Sequence, residues 1–117
     1  VRGPSLHVGR LVAPLHIEAS GVRLSVPRRG AISDLCIQVQ SDFEDPPQTW
    51  EIELQVQAVG LNFRDVLIVL DQYPGPKAEP GTDCSGIIVG HGIDASRLPV
   101  GSACFGSAYG CLASRAR

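Results

Sequence analysis

With 117 residues, 44% of them hydrophobic and 19% charged, the chain has the length and composition of one folded domain, which excludes fibrous, membrane-spanning and disordered classes. A net charge of −2, with no basic run longer than Arg28-Arg29, lacks the electrostatic footprint of a nucleic-acid binder and disfavours an anionic membrane surface. Thirteen glycines and nine prolines predict turns and short strands rather than a helical bundle.

Taken in order, Val1 to Ser20 shows no apolar stretch behind a basic start, so no signal peptide is read there. A chain that opens on Val1 and contains no methionine is expected to be a piece of something longer. Val22, Leu24 and Val26 alternate with Arg23 and Ser25, and Leu35, Ile37 and Val39 alternate with Cys36, Gln38 and Gln40. Period-2 alternation predicts half-buried strands suited to an antiparallel sheet, with Pro27 to Gly30 as a turn between them. Asp42 to Thr49, with its Asp-Pro-Pro, reads as a surface loop. Glu51 to Val59 carries the strongest alternation: Ile52, Leu54, Val56 and Ala58 fall on the core face, with Glu51, Glu53, Gln55 and Gln57 towards solvent.

The period then changes. Asn62 is a helix cap with Asp65 at the third helical position, ahead of Val66, Leu67, Ile68 and Leu70. One short helix near residues 63–71 follows, weak in propensity because of its β-branched residues and stopped by Tyr73-Pro-Gly-Pro76. Gly86 to Gly90 reads as a buried strand, Leu98 to Gly101 as a turn, and Ala103 to Phe105 as the start of another strand. The longest apolar run, Val66 to Leu70, is far too short to span a bilayer.

Several chemistries are weakened at this level. Cys36, Cys84, Cys104 and Cys111 are widely spaced, without a CxxC pair, and read as reduced, mostly buried thiols of an intracellular, cytoplasmic protein. Gly90-His-Gly-Ile-Asp-Ala95 fits the dinucleotide pattern after a predicted strand, but Pro99 cuts short any helix and the region around Gly110 has no acidic partner, so it reads as a turn. No GxSxG occurs, His7, His16 and His91 have no triad-like context, and Glu51 and Glu53 serve solubility on a strand face. The sharper feature is Gly60 to Leu67, then Tyr73-Pro-Gly75, then the glycine-bracketed acidic turn Pro80 to Gly86. A tyrosine able to donate a proton and an asparagine able to hydrogen-bond a ring or carbonyl fit the wall of a cleft; the same residues equally suit a capped helix and an ordinary turn.

On those residues the chain resembles a known family. Ala58-Val-Gly-Leu-Asn-Phe-Arg-Asp-Val-Leu-Ile68, with Tyr73-Pro-Gly and the Gly81 to Gly86 turn, is similar to the enoyl reductase domain of modular polyketide synthases and animal-type fatty acid synthases. These are zinc-free members of the medium-chain dehydrogenase/reductase superfamily, close to quinone oxidoreductases. Gly9 to Ala13 and Leu24 to Leu35 resemble the approach to the first strand of that reductase.

The resemblance implies a mainly β, GroES-like, partly open barrel for substrate binding. Residues 1–30 would be the linker and leading strand of the synthase, and residues 31–117 the GroES-like domain, truncated at its C-terminal side. The family's Rossmann domain, which carries NADPH, is absent from these residues. Hydride delivery to an α,β-unsaturated acyl thioester held on an acyl carrier protein is the implied reaction, with neighbouring synthase domains as partners. Tyr73 matches the tyrosine proposed as proton donor, and Asn62, Phe63 and Arg64 match the segment against the nicotinamide end. Zinc-dependent relatives carry a Cys near the start of this helix and a Gly-His-Glu further on; Leu61 to Asp65 and Gly81-Thr-Asp83 stand there instead, so no zinc is implied. Asp83 stands where the family usually has Glu. The isolated 117 residues are expected to bind NADPH weakly or not at all and to show no enoyl reduction. Two alternatives are kept: part of a stand-alone quinone or alkene reductase, and a non-enzymatic GroES-like interaction module.

Overall fold

Alternating stretches become strands and the proline- and glycine-rich joints become turns in the computed structural model, which describes residues 21–41 and 43–117. The expected linker calls on Val1 to Ser20, including Gly9 to Ala13, His7 and His16, lie outside the described residues. Strands β1 (Val22–Ser25) and β2 (Cys36–Val39) pair antiparallel, with Val22 opposite Val39 and Leu24 opposite Ile37, so their apolar residues share one face. Strand β3 (Ile52–Gly60), helix α1 (Phe63–Val69), and strands β4 (Asp83–His91), β5 (Ala103–Ser107) and β6 (Arg115–Ala116) follow. The last four strands form an antiparallel sheet in the order β5-β4-β3-β6. Among the described residues the architecture is therefore mainly β with one short α-helix, and the sheets stay open rather than closing into a barrel.

The two sheets are joined by the C-terminal segment. Arg23 bridges to Ala113, the Leu24 amide donates to Leu112 O at 2.8 Å, and the Ser114 amide donates to Val22 O at 2.7 Å. On its other side the same segment accepts the Val56 amide at Ser114 O, 2.9 Å away. No strand is legible at β6 in the sequence, because Leu112 to Ala116 has no period-2 pattern; neighbours on both sides supply the backbone partners that make it extended.

The core is built from Leu54, Cys84, Ile88, Cys111 and Ala116, with Ile52, Val56, Val59, Cys104 and Ala108 packed against it. Ala58, expected on this face, is exposed instead. Gln57 has no partner in β4, since Val56 pairs with Gly86 and Ala58 with Ser85. This one-residue bulge turns Ala58 out and Val59 in. A second irregularity skips Val89 between Ile88 and Gly90.

Glu53 also departs from the expected solvent face: it is only 3% exposed. Its carboxylate is ion-paired with Arg115 and receives Arg117 Nε and Nη2 at 3.2 and 2.9 Å. Both guanidinium groups lie over the Phe43 ring, at 5.2 and 4.6 Å from its centroid. A carboxylate that looks solubilising in its own strand is buried because Arg115 of β6 and Arg117 just after it are brought to it.

Helix α1 ends before the proline turn that was expected to stop it. Asp71 takes a left-handed conformation (φ 57°), its amide donates to Ile68 O at 3.2 Å, and the Gln72 amide donates to Leu67 O at 2.8 Å. Among the described residues no helix is long and apolar enough to cross a membrane.

Candidate functional site

The start of α1 is held by a buried carboxylate. Asp65, 4% exposed, accepts the Asn62 amide on Oδ2 at 2.8 Å and the Gly81 amide on Oδ1 at 2.7 Å. The Asp65 amide donates in turn to Asn62 O at 2.9 Å. The first contact is the capping geometry legible in the sequence. The second is not legible there: the cap residue also secures the turn that leads into β4. Gly81 has φ 93°, and a Cβ on it would come within 2.5 Å of the Leu112 amide nitrogen, so only glycine fits this crossing.

Once the cap is anchored, residues 62–64 are presented at the surface. Phe63 is 75% exposed, and Arg64 is exposed beside it. The Arg64 guanidinium lies over the Tyr73 ring, 5.0 Å from its centroid. Tyr73 is half-buried, its amide donates to Leu67 O at 3.1 Å, and its ring is folded back over Gly75. A Cβ at Gly75 would lie 2.4 Å from Tyr73 Cε1, so the glycine is what lets the ring occupy this place. Among the described residues the Tyr73 hydroxyl has no hydrogen-bond partner.

Asn62 faces the strands. Its Nδ2 donates to Asp83 Oδ2 at 2.7 Å and lies 3.4 Å from Thr82 Oγ1. Asp83 and Ser107, which are also hydrogen-bonded to each other, belong to the rim of an open groove of about 400 Å³ that Val59, Gly60 and Phe105 line as well. The four residues singled out from the sequence thus share one corner: Arg64 contacts Tyr73, Phe63 is exposed between, and Asn62 reaches β4. Sequence reasoning missed Asp65 as the tie to Gly81, Gly75 as the seat of the tyrosine, Asp83 as the partner of Asn62, and Ser107. The spacing of Asn62 and Asp65 marked the cap, but nothing local signals a hydrogen bond from residue 62 to residue 83.

The other candidates do not build a site. Gly90 to Ala95 leaves β4 into a three-residue 3-10 turn, Ile93–Ala95, not an α-helix. Gly92 is packed so tightly that a Cβ there would fall 1.8 Å from Gln48 O. That glycine serves packing on the 48–49 backbone and opens no phosphate cradle. His91 Nδ1 lies 3.0 Å from Gly92 O. Cys84 and Cys111 are buried and Cys36 and Cys104 half-buried, all as free thiols; burial, with Cys84 alongside, pushes Cys111 up to about 12. Among the described residues no three His, Cys, Asp or Glu side chains come together as metal ligands.

For a nicotinamide dinucleotide the fit is to one end only. The exposed Phe63 ring and the Arg64 cation offer a flat apolar face and a charge, whereas the one glycine pattern suited to a pyrophosphate is closed by Gln48 and Thr49.

Comparison with known proteins agrees with this architecture. The profile of the alcohol dehydrogenase GroES-like domain matches residues 48–117. The chain is 35% identical over 117 residues to the erythronolide synthase EryA2 of Saccharopolyspora erythraea, covering 97% of this chain and 3% of the synthase. Among solved structures it is similar to the CurK enoyl reductase, with a TM-score of 0.72 and 30% identity over 81% of this chain and 32% of that one. It is likewise similar to the Escherichia coli quinone oxidoreductase complexed with NADPH, with a TM-score of 0.64 and 25% identity over 81% of this chain and 30% of that one. The chain thus spans a small fraction of the synthase and about a third of each reductase.

Proposed function

The chain belongs to the alcohol dehydrogenase GroES-like domain family, and from that premise we propose that it is the substrate-binding part of an NADPH-dependent enoyl reductase in a polyketide synthase. Residues 1–30 form the linker and leading strand in this reading, and residues 31–117 the GroES-like domain. The substrate is an α,β-unsaturated acyl thioester carried on an acyl carrier protein, with neighbouring synthase domains as partners. Support comes from the similarity to EryA2 and to the CurK enoyl reductase, and NADPH is the cofactor in the quinone oxidoreductase complex.

The observation that carries the assignment is the corner where Arg64 covers Tyr73 while the tyrosine hydroxyl keeps its proton unshared. A hydride for the β-carbon is the chemistry that NADPH would supply when bound at this edge. This chain's own residues do the rest. Asn62, Phe63 and Arg64 form the edge for the nicotinamide end, Phe63 through its exposed ring. Tyr73 delivers a proton from its hydroxyl to the α-carbon as the thioester enolate collapses, and Arg64 above the ring stabilises the phenolate left behind. The exposed apolar side chains of Leu61, Phe63 and Phe105 exclude water wherever substrate and cofactor cover them.

The test is turnover by the complete reductase with NADPH and a soluble enoyl thioester. Tyr73→Phe is expected to lower kcat on the order of 100-fold, in the range for losing a general acid, and to scramble α-carbon stereochemistry. An unchanged rate and unchanged stereochemistry would remove Tyr73 from the mechanism. The isolated 117 residues are expected to show no turnover.

A further inference from the structure

At the junction of β3, α1, β4 and β5 a second carboxylate makes contacts that the helix cap does not require. Asp83 opens β4, opposite Gly60 of β3 and Ser107 of β5. Its Oδ2 accepts Asn62 Nδ2 at 2.7 Å, and its Oδ1 accepts Ser107 Oγ at 3.2 Å. One side chain therefore links the residue before α1 to the last residue of β5, across the strand it belongs to. Gly60 makes room for this: a Cβ there would sit 3.3 Å from Asp83 Cβ, tighter than ordinary packing.

Two features separate this arrangement from a structural staple. Asp83 is exposed, so its removal strands no buried donor, and the fold is already held at this corner by Asp65 and the β3–β4 ladder. In addition, its strongest contact is to a side-chain amide whose two ends are alike in shape and opposite in hydrogen-bonding sense. A carboxylate accepts only, so it fixes which end of Asn62 faces β4 and leaves the carbonyl oxygen a single orientation.

We propose that Asp83 is a positioning residue of the reductase: by holding the Asn62 amide it sets the orientation of the Asn62–Arg64 edge that receives the nicotinamide end. The role rests on the function proposed above. Ser107 is its auxiliary, restraining the free carboxylate oxygen so that the other stays aimed at Asn62.

The complete reductase provides the test, through kcat, KM for NADPH and KM for a soluble enoyl thioester. Asp83→Ala is expected to lower kcat/KM for NADPH about tenfold, as for loss of a hydrogen bond to a charged group, with little change in the thermal midpoint or the thioester KM. Asp83→Asn, which still offers an acceptor to Asn62 and a donor to Ser107, is expected to restore most of the loss. The double variant Asn62→Ala, Asp83→Ala is expected to be no worse than Asn62→Ala alone. Unaltered kinetics in Asp83→Ala, an Asp83→Asn enzyme as poor as Asp83→Ala, or additive losses in the double variant would each overturn the role. Failure of the unsubstituted enzyme to reduce the thioester with NADPH overturns the proposed function itself, and the role with it.

Discussion

Among the described residues two carboxylates, Asp65 and Glu53, lie almost wholly out of solvent, and they are satisfied by opposite means. Asp65 is held by neutral donors, the Asn62 and Gly81 amides, the nearer of them three residues away. Glu53 is held by cations, Arg115 and Arg117, which stand 62 and 64 positions along the chain and rest on Phe43. Backbone amides cost nothing to bring out of water as charges, so the Asp65 clamp suits a corner that must be accurate. Paired guanidinium groups must be desolvated together with their partner, so the Glu53 cluster acts as a latch that is strong when complete and costly when one member is lost. Arg117 adds a hydrogen bond to Asp45 O, which ties the 43–45 loop into the same latch.

The largest effect expected from that contrast is on the latch. Glu53→Gln should destabilise the domain by about 2–3 kcal/mol, because the mostly buried Arg117 guanidinium and, to a smaller extent, the partly exposed Arg115 lose their counter-charge. Urea unfolding measures it, and activity at low denaturant should survive, since the latch touches none of the site residues. At the clamp, Asp65→Asn keeps one acceptor and turns an N–H towards the other amide, for an expected loss of about 1–2 kcal/mol. Here turnover should fall more than stability does. A clamp substitution that destabilises as much as the latch substitution while sparing activity would erase the distinction between them.

The smallest effect concerns a third buried acid, Cys111, which is kept neutral rather than paired. Burial raises it from 9.0 to about 12, with Cys84 adding to the rise. Its contribution to stability is complete below pH 9 and is lost as pH climbs towards 12, because the unfolded thiol gives up its proton first. Replacing Cys111 with Ala should flatten this alkaline decline in unfolding free energy relative to the unsubstituted chain. An equally steep decline in both would show that other groups carry it.

What was legible in the sequence is what neighbours along the chain decide. The β3 alternation, the hairpin of β1 and β2, the Asn62–Asp65 cap, and the turn after Val89 all depend on residues within a few positions, and each is found near its expected place. The helix was expected near 63–71 and ends at Val69 because Asp71 turns left-handed, a backbone choice that composition at the turn does not announce. Ala58 was assigned to the wrong face for a related reason: a bulge is set by how β3 meets β4, and a single unpaired residue reverses every side chain beyond it.

The candidate site divides along the same line. Its residue types, a tyrosine, an asparagine and an arginine near a glycine-bracketed turn, were evident from sequence and resemblance. Their union was not. Arg64 over Tyr73, Asn62 on Asp83 and Asp65 on Gly81 are contacts across 9, 21 and 16 positions. By itself the sequence determined a mainly β chain with one capped helix, since periodicity and capping are local and each residue carries its own share of the signal. Only the tertiary structure decided that Glu53 is buried, that residues 115–116 form a strand, and that Tyr73 lies under Arg64. In each case the energy comes from a partner distant in the chain, and a charge or a ring has no fixed environment until that partner arrives.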